Sequence, residues 1–264
     1  MTLHKNAVVG VDVGASRTKV AILDAEKSLK GFAVLKSGTD FRSAARNSLA
    51  EAIDRAGMAA GDITAGVSTG YGRKNVDFVQ EAKTEIACHA RGCYREFPLA
   101  MTIIDIGGQD NKIINLDQRG RRVNFKMNRK CAAGTGAFLE EMSLRLGVPL
   151  EEMNALAKQS RELVELGSYC TVFSGTEVLE KIRQGKKLPD IVKGLFASVI
   201  KRVLEMGAFS ETIVMTGGVV AFNPYLVDML AQKTGRPVLV PEFPQLTGAI
   251  GAALFALEEV KSEK

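Results

Sequence analysis

A chain of 264 residues, 46% hydrophobic and 25% charged, is long enough for a sizeable core in one large or two modest domains. That composition is not that of a disordered chain, and the length excludes a minimal disulfide-stapled module. The 35 basic and 30 acidic residues give a net charge of +5 with no basic block, so no nucleic-acid partner is expected.

No apolar run reaches about 18 residues, and the first residues lack a signal-peptide core, so we expect a cytoplasmic protein with no membrane partner. In that compartment thiols stay reduced. The four cysteines, Cys88, Cys93, Cys131 and Cys170, therefore read as buried thiols or metal ligands. His4 and His89 are too few and too far apart for a histidine-based metal site.

In chain order, residues 7–13 (AVVGVDV) and 19–23 (KVAIL) predict a hairpin closed by a Gly-containing turn. Residues 43–58 carry apolar positions at helical spacing, and residues 63–68 form a short strand ending at TGYGR. Residues 101–108 (MTIIDIGG) form another buried strand, and KIINL follows. Residues 136–146, 148–157 and 178–206 read as helical, with residues 185–189 interrupting the last. The apolar stripe of residues 191–206 reads as core in preference to a partner-binding face. Residues 212–215 (TIVM) form a strand and residues 216–219 its turn, and Asn223-Pro224 opens the next helix. Residues 238–240 are extended, and an Ala-rich helix covers residues 247–257.

Two of these segments look alike. Asp12, Gly14 and Lys19 sit in one strand-turn-strand unit, while Asp105, Gly107 and Lys112 sit in a second. Backbone N–H groups at such Gly-rich turns can approach phosphate oxygens, and an aspartate at a strand end can hold hydrated Mg²⁺. A single Asp-x-Gly turn is weak, because both residue types are common in turns. Three Gly turns in order, two of them similar, favour a polyphosphate ligand. Neither a P-loop nor a strand-GxGxxG-helix unit is present.

Cys131 lies in KCAAGTGAFLE and Cys170 in SYCTVF, each ahead of a helical stretch whose N-terminus favours thiolate or an anionic cluster. Two thiolates per chain become four in a twofold dimer, the number that a [4Fe-4S] cluster takes. Taken by spacing alone, both cysteines read first as small buried apolar residues, because nothing resembles a compact CxxC motif.

The ordered run GVDVGASRTKVAIL, STGYGR, IDIGGQDNKII, NRKCAAGTGAFLE, CTVF, MTGGVV and PQLTGAIGAALFA resembles the ATP-dependent activators of 2-hydroxyacyl-CoA dehydratases over nearly the whole chain. That family is similar to the ATPase subunits of benzoyl-CoA reductase and to the reductases of double-cubane cluster proteins. The resemblance implies an α/β fold of the acetate kinase, sugar kinase, heat-shock chaperone and actin class, with two ribonuclease-H-like domains around a nucleotide cleft. The expected division is residues 1–98 plus 246–264 for the first domain and residues 99–245 for the second.

The resemblance further implies a homodimer sharing one [4Fe-4S] cluster through Cys131 and Cys170 of each copy. ATP hydrolysis to ADP would drive a low-potential electron into a partner iron-sulfur protein, which would be a dehydratase, a reductase or a double-cubane protein. Reduced ferredoxin or flavodoxin would be the donor. Asp12, Gly14, Ser16 and Lys19 match the first phosphate loop; Asp105, Gly107, Gly108, Gln109 and Asp110 match the second. Asp12, Asp105 and Gln109 are the catalytic candidates, with the two aspartates nearest Mg²⁺, and Gly217, Gly218 and Asn223 match the adenosine loop. Where relatives usually read AESEV after CTVF, this chain has Ser174-Gly175-Thr176-Glu177-Val178, so an acidic residue beside the cluster is missing. Cys88, Cys93 and His89 are expected to be structural. The rival reading is a small-metabolite kinase of the same superfamily, which gives no reason for CAAGTG.

Overall fold

The computed structural model describes residues 7–167 and 170–262. His4, Ser168 and Tyr169 lie outside the described residues. The chain divides into two compact units. The first holds the described residues of Met1–Leu99, Leu116–Arg122 and Gln245–Lys264, and the second holds Ala100–Asn115 and Val123–Pro244.

In the first unit β1 (Ala7–Val13) and β2 (Arg17–Leu23) form the expected hairpin, and β3 (Leu29–Lys36) extends it. The sequence reading missed β3, since Gly31 and the charged ends of LKGFAVLK blur its alternation. Helix α1 (Phe41–Ala56) starts two residues before the expected position because Asp40 caps it, its carboxylate accepting from the backbone N–H groups of Arg42 and Ser43 at 3.1 Å each. Gly57, left-handed at φ 62°, ends it before residue 58. β4 (Ile63–Thr69), β5 (Glu81–Ala82) and α2 (Glu85–Glu96) follow, the last two unforeseen.

In the second unit β6 (Met101–Ile106) and β7 (Asn111–Leu116) match expectation, whereas β8 (Arg122–Asn128), exposed along most of its length, was missed despite the alternation of RVNFKMN. Helix α3 (Gly136–Leu146) is as expected. The helix expected over 148–157 begins only at Met153, as α4 (Met153–Gln159), because Pro149 and a short 3₁₀ turn precede it. The long helical region is two helices, α5 (Thr171–Arg183) and α6 (Leu188–Leu204), and α5 starts seven residues before the expected 178. Strand β9 (Ile213–Thr216) runs into α7 (Gly218–Phe222), so Gly218 and Val219 are helical and not a turn. Then come α8 (Tyr225–Thr234) and β10 (Val238–Leu239), and α9 (Thr247–Ser262) returns the chain to the first unit.

The first sheet is ordered β3-β2-β1-β4-β5 and the second β8-β7-β6-β9-β10, which is the same order at a second place in the chain. β1 pairs antiparallel with β2 and parallel with β4, and β6 pairs parallel with β9. β1 is buried along its whole length, so it needs cover on both faces. Val9, Val11 and Val13 pack with Ala45 and Ala52 of α1, whereas Gly10 faces the backbone of α9 at Ala249.

The second core gathers Ile104, Ile106, Phe138, Met142, Leu195, Phe196 and Met215. Ile191, Leu195, Val199 and Val203 of α6 are all fully buried, so the apolar stripe of residues 191–206 is core. Among the described residues no helix is long and apolar enough to cross a membrane.

Candidate functional site

The two similar segments fold alike. Asp12 ends β1 opposite Lys19 on β2, and the Lys19 ammonium donates to Asp12 Oδ2 at 3.0 Å. Seven residues likewise separate Asp105 from Lys112, whose ammonium donates to Asp105 Oδ2 at 2.9 Å. Both turns close by the same hydrogen bond, Gly14 N–H to Arg17 C=O at 3.1 Å and Gly107 N–H to Asp110 C=O at 2.9 Å. Each loop therefore presents backbone N–H groups beside a lysine-balanced carboxylate.

A second pair of residues completes each copy. Asp12 lies opposite Thr69 of β4, and Asp105 lies opposite Thr216 of β9. The residues that follow, Gly70 at φ 94° and Gly217 at φ 103°, are left-handed. A Cβ on either would stand 2.6 Å from Oδ1 of Asp12 or Asp105, respectively. Only glycine lets the strand end fold over the carboxylate this closely. Sequence reasoning named Gly217 as a site residue, Lys112 only as part of the repeated motif, and Gly70 not at all; the shared Thr-Gly was the signal available for Gly70.

The loops differ in exposure. Asp12 and Asp105 are buried, Ser16 and Asp110 are half-buried, and Gln109 is exposed at the tip of the second loop. Lys112 is nearly fully buried and also donates to Asp110 Oδ1 at 2.7 Å. Gly218 is the first residue of α7, while Asn223 is buried and donates from Nδ2 to Val219 C=O at 2.9 Å, closing that short helix.

The second loop is tied to the cysteine segment. The N–H groups of Gly136 and Ala137, which open α3, donate to the carbonyls of Gly107 and Gly108 at 2.9 and 2.7 Å. Asn111 Nδ2 donates to Gly134 C=O at 2.8 Å, and Gly134 is packed so tightly that a Cβ would lie 2.9 Å from Arg202 Cβ. The CAAGTG run is thus a loop pinned to the phosphate-type turn from which α3 departs.

Cys131 is exposed ahead of α3, and Cys170, also exposed, is the N-cap residue of α5. Helices α3 and α5 pack on each other, with Gly175 of α5 against the Arg145 guanidinium of α3, where a Cβ would lie 2.7 Å away. Arg145 instead pairs with Glu141 at 2.7 Å. Two exposed thiols per chain fit half of a four-thiolate site, and among the described residues no three His, Cys, Asp or Glu side chains gather around one point. Cys88, Cys93 and His89 are buried in α2, and burial pushes the Cys88 thiol up to about 12.

Residues 9–256 match the BadF/BadG/BcrA/BcrD ATPase family. The activator of lactoyl-CoA dehydratase from Anaerotignum propionicum is 41% identical over 258 residues, spanning 97% of this chain and 99% of that one. Two solved structures superpose on this chain. Component A of (R)-2-hydroxyglutaryl-CoA dehydratase from Acidaminococcus fermentans has a TM-score of 0.92 at 34% identity and covers 97% of this chain and 100% of its own. The activator of 2-hydroxyisocaproyl-CoA dehydratase from Clostridium difficile, solved with bound ADPNP, has a TM-score of 0.91 at 39% identity and covers 97% and 96%. A match of this extent, on a fold that repeats one five-stranded order twice, has one conclusion: the chain belongs to the BadF/BadG/BcrA/BcrD ATPase family.

Proposed function

We propose that this chain is an ATP-dependent, low-potential electron donor that works as a homodimer and reduces a partner iron-sulfur protein. The relatives are named as dehydratase activators, and one is a benzoyl-CoA reductase subunit, so the acceptor proposed is a dehydratase or a related reductase. One observation carries the reading. The helix that follows Cys131 is hydrogen-bonded by its first two N–H groups to the glycine carbonyls of the second loop. A change at that loop therefore has a direct mechanical route toward the cysteine.

In this reading Gly14, Ser16 and Lys19 together with Gly107, Gly108, Gln109 and Asp110 receive the phosphates of ATP. Gly217 and Gly218 border the adenosine, while Asn223 acts by holding α7. Asp12 and Asp105 are hard oxygen donors suited to Mg²⁺ and its waters, and the lysine on each offsets charge before the nucleotide arrives. Cys131 and Cys170 would hold half of a [4Fe-4S] cluster, and the partner copy would supply the other half. When bound, the cluster supplies one-electron reduction. Exposure of both thiols suits transfer to a docked acceptor, and reduced ferredoxin or flavodoxin is the proposed donor.

The test is iron and acid-labile sulfide on anaerobically purified protein, with Cys131→Ala beside wild type. About four of each per dimer, lost in the variant while ATP turnover persists, is the expected result. Iron-free wild-type dimers that hydrolyse ATP would overturn the cluster, and a wild-type chain that neither binds nor hydrolyses ATP would overturn the reading altogether.

A further inference from the structure

Within the second unit a cavity of about 460 Å³ opens between α6, α8 and the segment 163–167. Its size falls in the range of small-molecule sites, and none of Gly107, Gly108, Gly217, Gly218 or Asn223 lines it. It reaches the C-terminal ends of α6 and α8, at Leu204 and Lys233, from which the chain enters β9 and β10. Gly217 lies at the other end of β9.

The lining has a consistent chemistry. Most of the wall is apolar, with Leu166 and Ile200 buried in it. Among the described lining residues Lys193, Lys201 and Lys233 stand against a single carboxylate residue, Glu165. Lys193 is half-buried, and among the described residues no carboxylate pairs with it or with Lys233. Ser198, only 8% exposed, lines the same space. Lys193, Ala197 and Lys201 fall one helical turn apart on α6, so the small side chain of Ala197 makes the room between two ammonium groups.

A half-buried ammonium with no carboxylate partner among the described residues, beside a wall hydroxyl, calls for an acceptor, and the apolar wall calls for a hydrocarbon body. No arginine lines the cavity, so the forked donors suited to a phosphate are missing from its lining. We infer that this cavity binds a small apolar carboxylate, with the carboxylate on Lys193 and Ser198 and the hydrocarbon against Leu166 and Ile200. The inference does not rest on the ATPase reading.

Calorimetry of octanoate titrated into the purified full chain tests it, with octanamide and inorganic phosphate as comparison probes. Octanoate should bind with a dissociation constant on the order of 0.1–1 mM, octanamide about tenfold more weakly, and phosphate without saturation. Ala197→Phe, which fills the cavity, should abolish octanoate binding, and Lys193→Met should weaken it about tenfold. Circular dichroism melts check that both variants are folded, and ATP turnover should be unchanged in both. Absence of saturable heat with wild type up to about 5 mM, or equal affinity in wild type and Lys193→Met, overturns the site. Equal binding of octanoate and octanamide overturns the carboxylate assignment.

Discussion

Lys112→Met tests whether the two loops, alike in geometry, differ in energy. Lys112 is 3% exposed and its ammonium lies 2.9 Å from Asp105 and 2.7 Å from Asp110, so its removal leaves one fully and one partly buried carboxylate uncompensated. Breaking a buried pair by deleting one partner costs about 3–5 kcal/mol. At the equivalent place Lys19 keeps 18% of its side chain in solvent and has one carboxylate, so Lys19→Met should cost roughly 1–2 kcal/mol, between the exposed and buried limits. The assay is urea unfolding followed by far-ultraviolet circular dichroism. Resolved transitions are fitted separately, since each unit has its own core. Adding Asp105→Asn to Lys112→Met should recover part of the loss, which a double-mutant cycle measures. A loss below about 1 kcal/mol, or one no larger than that of Lys19→Met, would refute the reasoning.

Three further outcomes are expected. Gly217→Ala forces a side chain into a left-handed position 2.6 Å from Asp105 Oδ1, so it should destabilise the second unit by about 2 kcal/mol or more and abolish nucleotide binding, read by melting with and without ADP. In iron-free protein Cys131 and Cys170 should react with Ellman's reagent at pH 8, while buried Cys88 and Cys93 react only after denaturation, so four fast thiols in native protein would contradict the packing of α2. Asp190 in the first turn of α6 accepts from the backbone N–H of Glu162 at 3.1 Å and from Ser160 Oγ and the N–H of Arg161, and these bonds hold its carboxyl below the usual carboxylate range. Its stabilising contribution is therefore present above the unfolded-state value and lost as pH falls through the folded one. Asp190→Asn should flatten the acid limb of the stability profile, and an unchanged limb would refute the assignment.

The sequence disclosed those parts where local chemistry and tertiary need coincide. β1 and β6 were legible because burial on both faces demands unbroken apolar runs, and the two Asp-x-Gly turns because they follow such runs. β8 was overlooked although Val123, Phe125 and Met127 alternate with polar residues in RVNFKMN; the period-2 signal was present, and the exposure of Val123 and Phe125 shows that such a face need not be buried. The start of α5 was hidden for another reason: Val172 and Phe173 stay exposed, and the positions buried before Val178 are Ser174 and Gly175, so no large apolar side chain marks the inner face there. Of the candidate site, the carboxylates and glycines were readable from type and order. Lys112 was visible only as part of a motif, because its role depends on a cross-strand register that spacing suggests and only pairing establishes.

The duplicated loops are anchored to different things. At Gly14 the loop carbonyl accepts from the Ser37 hydroxyl at 2.6 Å, a side chain just beyond β3 of the same sheet. The corresponding carbonyl, at Gly107, accepts from the first residue of α3. One copy is thus bolted to its own frame while the other grips a lever. Two nearly identical loops differ in what holds the glycine carbonyl: a side chain from the same sheet at Gly14, the start of a helix at Gly107. On the proposed function, exchanging these anchors while leaving the loop residues in place should uncouple ATP turnover from electron transfer.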